Sequence, residues 1–173
     1  MSVSQTEAWQ RGPMEGFTPL LMPVVHALVQ VREDLERISA DLSTEDLWAR
    51  PGGAASIGFH FRHTAGALDR LFTYARGEPL SEAQRTWLRA EGEPGSPPAS
   101  AAEVVAAVNG VIDRAFDQLR MTSVDSLLEE RRVGRAGLPS TVLGLLFHAA
   151  EHSTRHVGQA ITTAKILRGS HAA

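Results

Sequence analysis

Residues 140–167 read STVLGLLFHAAEHSTRHVGQAITTAKIL, and the spacing of their apolar positions decides the fold class. Val142, Leu145, Leu146, Ala149, Ala160 and Ile166 (or Leu167) recur at three- and four-residue steps, the period of a helix with one apolar face. A strand would alternate at every second residue, and this stretch does not. It predicts a final helix of about 28 residues, roughly 40 Å long at about 1.5 Å per residue.

Working back along the chain, the same period recurs. A first long helix is predicted from about Thr18 to Ala40, with Leu21, Val25, Leu28, Val31 (or Arg32), Leu35 and Ile38 on its stripe and Glu33 placed four before Arg37 for an ion pair. Ser43 opens a short turn of helix through Trp48, which Pro51-Gly52-Gly53 stops. A second long helix runs from about Ser56 to Arg76 over Ile57, Phe61, Leu68 and Leu71, with Gly77 as its left-handed cap. Ser81/Gln84 and Ser100/Glu103 both match the capping box, so each serine marks a helix start. The second of these begins a third long helix to about Arg120, with Val104, Val108, Val111 (or Ile112), Ala115 and Leu119 inward. Glu91 to Ser100, EGEPGSPPAS, reads as an exposed connection, and Gly134 to Pro139 as a second loop.

No bounded segment alternates β-branched and aromatic residues, so the expected class is all-α. Four long amphipathic helices must bury four stripes, and a four-helix bundle does so. One domain over residues 1–173 is expected, its core at about 18–168; a chain of this length buries roughly 70% of its unfolded surface and needs no staple to fold.

Composition narrows the chemistry. Cysteine is absent, which removes disulfides, thiol nucleophiles, iron–sulfur clusters and Cys-type zinc sites and fits a cytoplasmic protein. Any metal must be held by His, Asp or Glu. With 17 Lys+Arg against 20 Asp+Glu there is no basic footprint, so nucleic acid is not an expected partner. The opening MSVSQTEAWQRG has no basic start before an apolar core, so no secretory signal is expected. Pro19 to Val31, the longest apolar run, is broken by Pro23 and His26 and is far short of the roughly 20 residues that span a bilayer.

Five of the seven histidines fall in two clusters, His60 and His63 in the second long helix and His148, His152 and His156 in the last. His152 and His156 are four apart and continue the stripe of Leu145 and Ala149, so both imidazoles face inward and can share one cation. His148 is eight residues before His156, roughly 12 Å along the axis, too far to join them readily. The remaining ligand must come from another helix, where His60 and His63 both stand available. Three His from two helices leave coordination positions open, as catalytic metals require, whereas structural zinc is closed by four protein ligands.

Other candidates have ordinary readings beside functional ones. Glu151 is a possible base or ligand, but it sits four before Arg155 in the favourable orientation for an ion pair. Gln159 suits either a supporting role at the site or an interhelical hydrogen bond. Trp48, Tyr74 and Trp87 suit a pocket wall or the core. Ser140, Ser153 and Thr154 lack the Gly-x-Ser-x-Gly setting of a serine nucleophile.

The stretch 56–65, SIGFHFRHTA, resembles the second-helix signature of the DinB-like (DinB/YfiT) superfamily. Residues 148–159, HAAEHSTRHVGQ, resemble its fourth-helix signature of three histidines spaced by three, followed by an Arg-Gly-Gln-like end. The resemblance implies an up-down-down-up bundle with a long crossover, here Gly77 to Ala99, between the second and third long helices. It also implies a divalent metal ion, zinc or nickel first and iron or manganese as alternatives, held by His63, His152 and His156. His60 and His148 then become neighbours in supporting or core positions. Val157 stands where the family commonly has Arg. The family's homodimers imply a homodimer here. Its characterised activities imply a small-molecule substrate handled with a low-molecular-weight thiol, in S-transfer or isomerisation, or with water in hydrolysis.

Overall fold

The computed structural model describes the backbone of residues 6–171 and the side chains of residues 6–169. Residues 1–5, 172 and 173, which the expected domain includes, lie outside the described residues.

The six α-helices are α1 (Met22–Ser39), α2 (Thr44–Trp48), α3 (Ile57–Ala75), α4 (Glu82–Ala90), α5 (Ala101–Met121) and α6 (Val142–His171). Their starts follow the predicted chemistry. Ser43, Ser56, Ser81 and Ser100 each accept a backbone N–H of the first turn through the hydroxyl, and Ser81/Gln84 and Ser100/Glu103 form complete capping boxes. Gly77 takes a φ of 78° just past α3, a conformation that favours glycine.

α3 packs most extensively against α6 and also against α5, and α1 packs against both α5 and α6. The predicted stripes meet in this core: Leu28, Leu35, Ile57, Phe61, Leu68, Ile112, Leu119 and Leu146 are all fully buried. All three open choices resolve on burial. Val31 is 1% exposed where Arg32 is partly exposed. Ile112 is 0% exposed where Val111 is partly exposed, and Leu167 is 9% exposed where Ile166 is 51%.

Four expectations need correction. The all-α class gives way to a mostly helical fold with a small sheet, because β1 (Glu130–Val133) pairs antiparallel with β2 (Leu138–Thr141), in the register Glu130↔Thr141 to Val133↔Leu138. The loop predicted at Gly134 to Pro139 is therefore a hairpin turn plus the start of a strand, with Gly134 and Gly137 at φ 66° and 60°. Glu33 does not pair with Arg37: it takes both terminal nitrogens of Arg11, at 2.5 and 2.7 Å, while Arg37 turns to Asp34 at 2.6 Å. The Glu91 to Ser100 connection is not exposed at its first residue, since Glu91 is 3% exposed. Among the described residues, no helix is long and apolar enough to cross a membrane.

Candidate metal centre

His63, on α3, sits two turns into the helix that Ser56 caps. His152 and His156, one turn apart on α6, face it across the α3–α6 contact. Each of the three offers a ring nitrogen, and these nitrogens lie within 4.8 Å of one another. Ring centroids are 4.4 Å apart for His63 and His156, 4.5 Å for His152 and His156, and 5.1 Å for His63 and His152.

The proton positions follow from the bonds. His63 Nδ1 lies 2.7 Å from Glu91 Oε2, and a carboxylate only accepts, so Nδ1 carries a proton and, in the neutral ring, Nε2 keeps the lone pair. His152 Nε2 stands 2.9 Å from that lone pair and donates to it. The other nitrogen of His152, Nδ1, is then a bare acceptor, and it is buried with no partner. An orphan of that kind costs about 1–3 kcal/mol.

Charge gives no relief. Burial, and then the neighbouring His63, His152 and His60, hold His156 down to about 4. Burial first and His63 second lower His152 and His60 as well. Three imidazoles from two helices, each offering a ring nitrogen within 4.8 Å of the others, are the donor set of a borderline divalent cation. The residues present fit one.

The surroundings organise this set. His60, 6% exposed, places its Nδ1 3.0 Å from His156 Nδ1. Phe59 stacks on His63 at 5.3 Å and 17° and presents an edge to His156 at 6.3 Å, an apolar wall on one side of the cluster. Glu91 closes α4 as its C-cap and is held at Oε1 by Arg70 at 2.5 Å.

Glu91 is the residue that sequence reasoning missed. A signal for it exists: the C-terminal end of a helix disfavours a carboxylate, so an acid capping α4 implies a cation or donor elsewhere.

The other candidates separate. Glu151 is tied to Arg155 at 2.5–3.0 Å and stays half-exposed. His148 is half-exposed, 3.5 Å from Glu151, so it has no core position. Gln159 is exposed. Ser153 and Thr154 donate to the carbonyls of Ala149 and Ala150 within their own helix. Trp48 donates to Ala99 O at 2.8 Å and packs on the Arg62 guanidinium, while Tyr74 packs against the core. Trp87 lines a cavity of about 360 Å³ between α3, α4 and α5, with Asp69, Arg70, Gln84 and Arg114 among its polar walls; none of the three clustered histidines lines it.

A family model of the DinB superfamily matches residues 27–160, a span that holds all three clustered histidines. No curated protein matches the chain. Among solved structures, the crystal structure of a conserved protein from Enterococcus faecalis is similar, with a TM-score of 0.72 and 15% identity, over 88% of this chain and 99% of that one. At that identity the likeness speaks for the fold alone.

Proposed function

The chain belongs to the DinB superfamily, and from that membership and its three converging imidazoles we propose that it is a divalent-metal-dependent enzyme with His63, His152 and His156 as ligands. The observation that carries this reading is the set of three ring nitrogens within 4.8 Å of one another, one of them on a ring with a buried nitrogen that lacks a partner. Three protein ligands leave coordination open, which suits catalysis better than a closed structural site. When bound, the ion supplies Lewis acidity that lowers the pKa of a thiol or water and polarises a carbonyl.

The chain's own residues bind, orient and shield. Glu91 accepts the Nδ1 proton of His63 and aims Nε2 inward. His60 meets the Nδ1 of His156, and Phe59 walls the cluster against water. The imidazoles of His60, His152 and His156 stay neutral near pH 7, because burial holds all three below their ordinary value. Glu151 is spent on Arg155 and supplies no base.

The substrate chemistry we propose is activation of a low-molecular-weight thiol for S-transfer or isomerisation, with activation of water for hydrolysis as the alternative use of the same site. Zinc or nickel is the proposed ion. The same reading takes the protein as a cytoplasmic homodimer whose four long helices run up-down-down-up within one domain.

The deciding experiment uses protein purified without a His tag, stripped and then supplemented with zinc or nickel. About one equivalent per chain is expected, lost in His152→Ala with helical content retained. Metal well below one equivalent in the parent chain refutes the proposal. Turnover of a thiol with an electrophile, or of an ester with water, then separates the two uses; a bound ion with neither activity leaves a metal-binding helical protein.

A further inference from the structure

We propose that Glu91 is the positioning residue of the metal centre: clamped by Arg70, its carboxylate fixes the tautomer and aim of His63 and so sets the affinity of the site. This rests on the ligand reading above.

Glu91 is built into its place from several directions. It is 3% exposed, and its two oxygens divide between two donors, Oε2 to His63 Nδ1 at 2.7 Å and Oε1 to Arg70 at 2.5 Å. The backbone of α3 leaves room for it only because residue 66 is glycine: a Cβ there would stand 2.2 Å from Glu91 Oε1 and 2.6 Å from the Trp87 ring. The chain on either side is pinned to α3, with Trp87 Nε1 donating to Arg62 O at 3.1 Å and the Arg62 guanidinium donating to Glu93 O. At the start of α4, Gln84 Nε2 donates to Asp69 and Thr73, each at 2.7 Å. A rigid connection therefore delivers one carboxylate to one face of one imidazole.

The chemistry explains why a carboxylate is needed. A metal ligand must present a lone pair, and the hydrogen bond at the far nitrogen decides which nitrogen has it. Two donors face Glu91, so residue 91 must accept twice. An isosteric glutamine accepts once and donates once. Turned one way, its amide meets the Arg70 donors head on; turned the other way, it donates to His63 Nδ1 and drives the proton onto Nε2, which blocks ligation. Removing Arg70 as well frees the amide oxygen for His63.

The test measures zinc affinity on the full chain by competition with a chromophoric chelator, alongside the melting temperature of the metal-free protein. Glu91→Gln is expected to weaken zinc about 10–100-fold, more than its metal-free melting temperature accounts for. Glu91→Gln/Arg70→Leu is expected to recover part of that loss. Zinc affinity of Glu91→Gln within about twofold of the parent, or a loss that the double variant deepens, overturns the proposal.

A readout independent of any variant's folding is the imidazole ¹⁵N spectrum of the metal-free parent. It should show His63 protonated at Nδ1, and an Nε2–H tautomer there overturns the inference. If the parent binds no zinc, the ligand reading falls first; if the parent binds and Glu91→Gln binds equally well, only the role of Glu91 falls.

Discussion

Acidifying the metal-free protein should destabilise it through the clustered histidines, with a size that the structure sets. His156 is held down to about 4 by burial and by its imidazole neighbours, whereas an unfolded chain titrates its histidines near 6.5. Below that value the unfolded state binds a proton that the folded state refuses, so stability is full above about pH 6.5 and is lost as pH falls towards 4. Between about pH 7 and pH 4.5 the difference integrates to roughly 2 kcal/mol for His156 alone, with 1.36 kcal/mol per pKa unit and an allowance for its partial exposure. His60 and His152, also lowered, add in the same direction. For a chain of this size that is a drop of roughly 5–8 °C in melting temperature. Carboxylates titrate lower in the same range, so the assay compares parent and His156→Gln, both metal-free, by thermal circular dichroism at half-unit pH steps. The parent should lose stability faster than the variant between about pH 6.5 and 4.5. Parallel curves would refute the idea that this ring is held neutral in the fold.

Two further outcomes follow from packing and from the ion pairs. Gly58→Ala would set a Cβ 2.6 Å from the Trp48 ring, and the displaced ring should cost about 1–3 kcal/mol, read as a lower denaturation midpoint. Glu151→Gln removes an exposed pair with Arg155 and should change neither the melting temperature nor zinc affinity beyond error; a clear loss of zinc binding would make Glu151 a ligand.

The helices were legible because their signals are local. Capping serines act within three residues, and a stripe repeats within one turn, so Ser56, Ser81 and Ser100 and the buried faces of α1, α3, α5 and α6 all follow from near neighbours in sequence. The hairpin was illegible for the same reason in reverse. ERRV and LPST are four-residue strands with exposed edges and no alternating apolar face, so what pairs them is the turn geometry at Gly134 and Gly137 and not a pattern of burial.

The cluster itself divides along this line. The spacing of His152 and His156 puts two imidazoles on one face from sequence alone, but the choice between His60 and His63 cannot come from spacing, because the two lie one turn apart on a helix that faces α6. In the structure both touch the α6 pair, His60 through His156 Nδ1 and His63 through His152 Nε2. What distinguishes them is the far side of each ring: His63 alone has a buried carboxylate on its Nδ1, delivered from 28 residues away by the end of α4. An acceptor there fixes the lone pair on Nε2, where His60 has only another neutral ring to settle its tautomer. On the proposed ligand reading, which histidine serves is thus decided by a residue that no periodicity in α3 or α6 contains, and the two helical motifs are incomplete without the connection between α3 and α5.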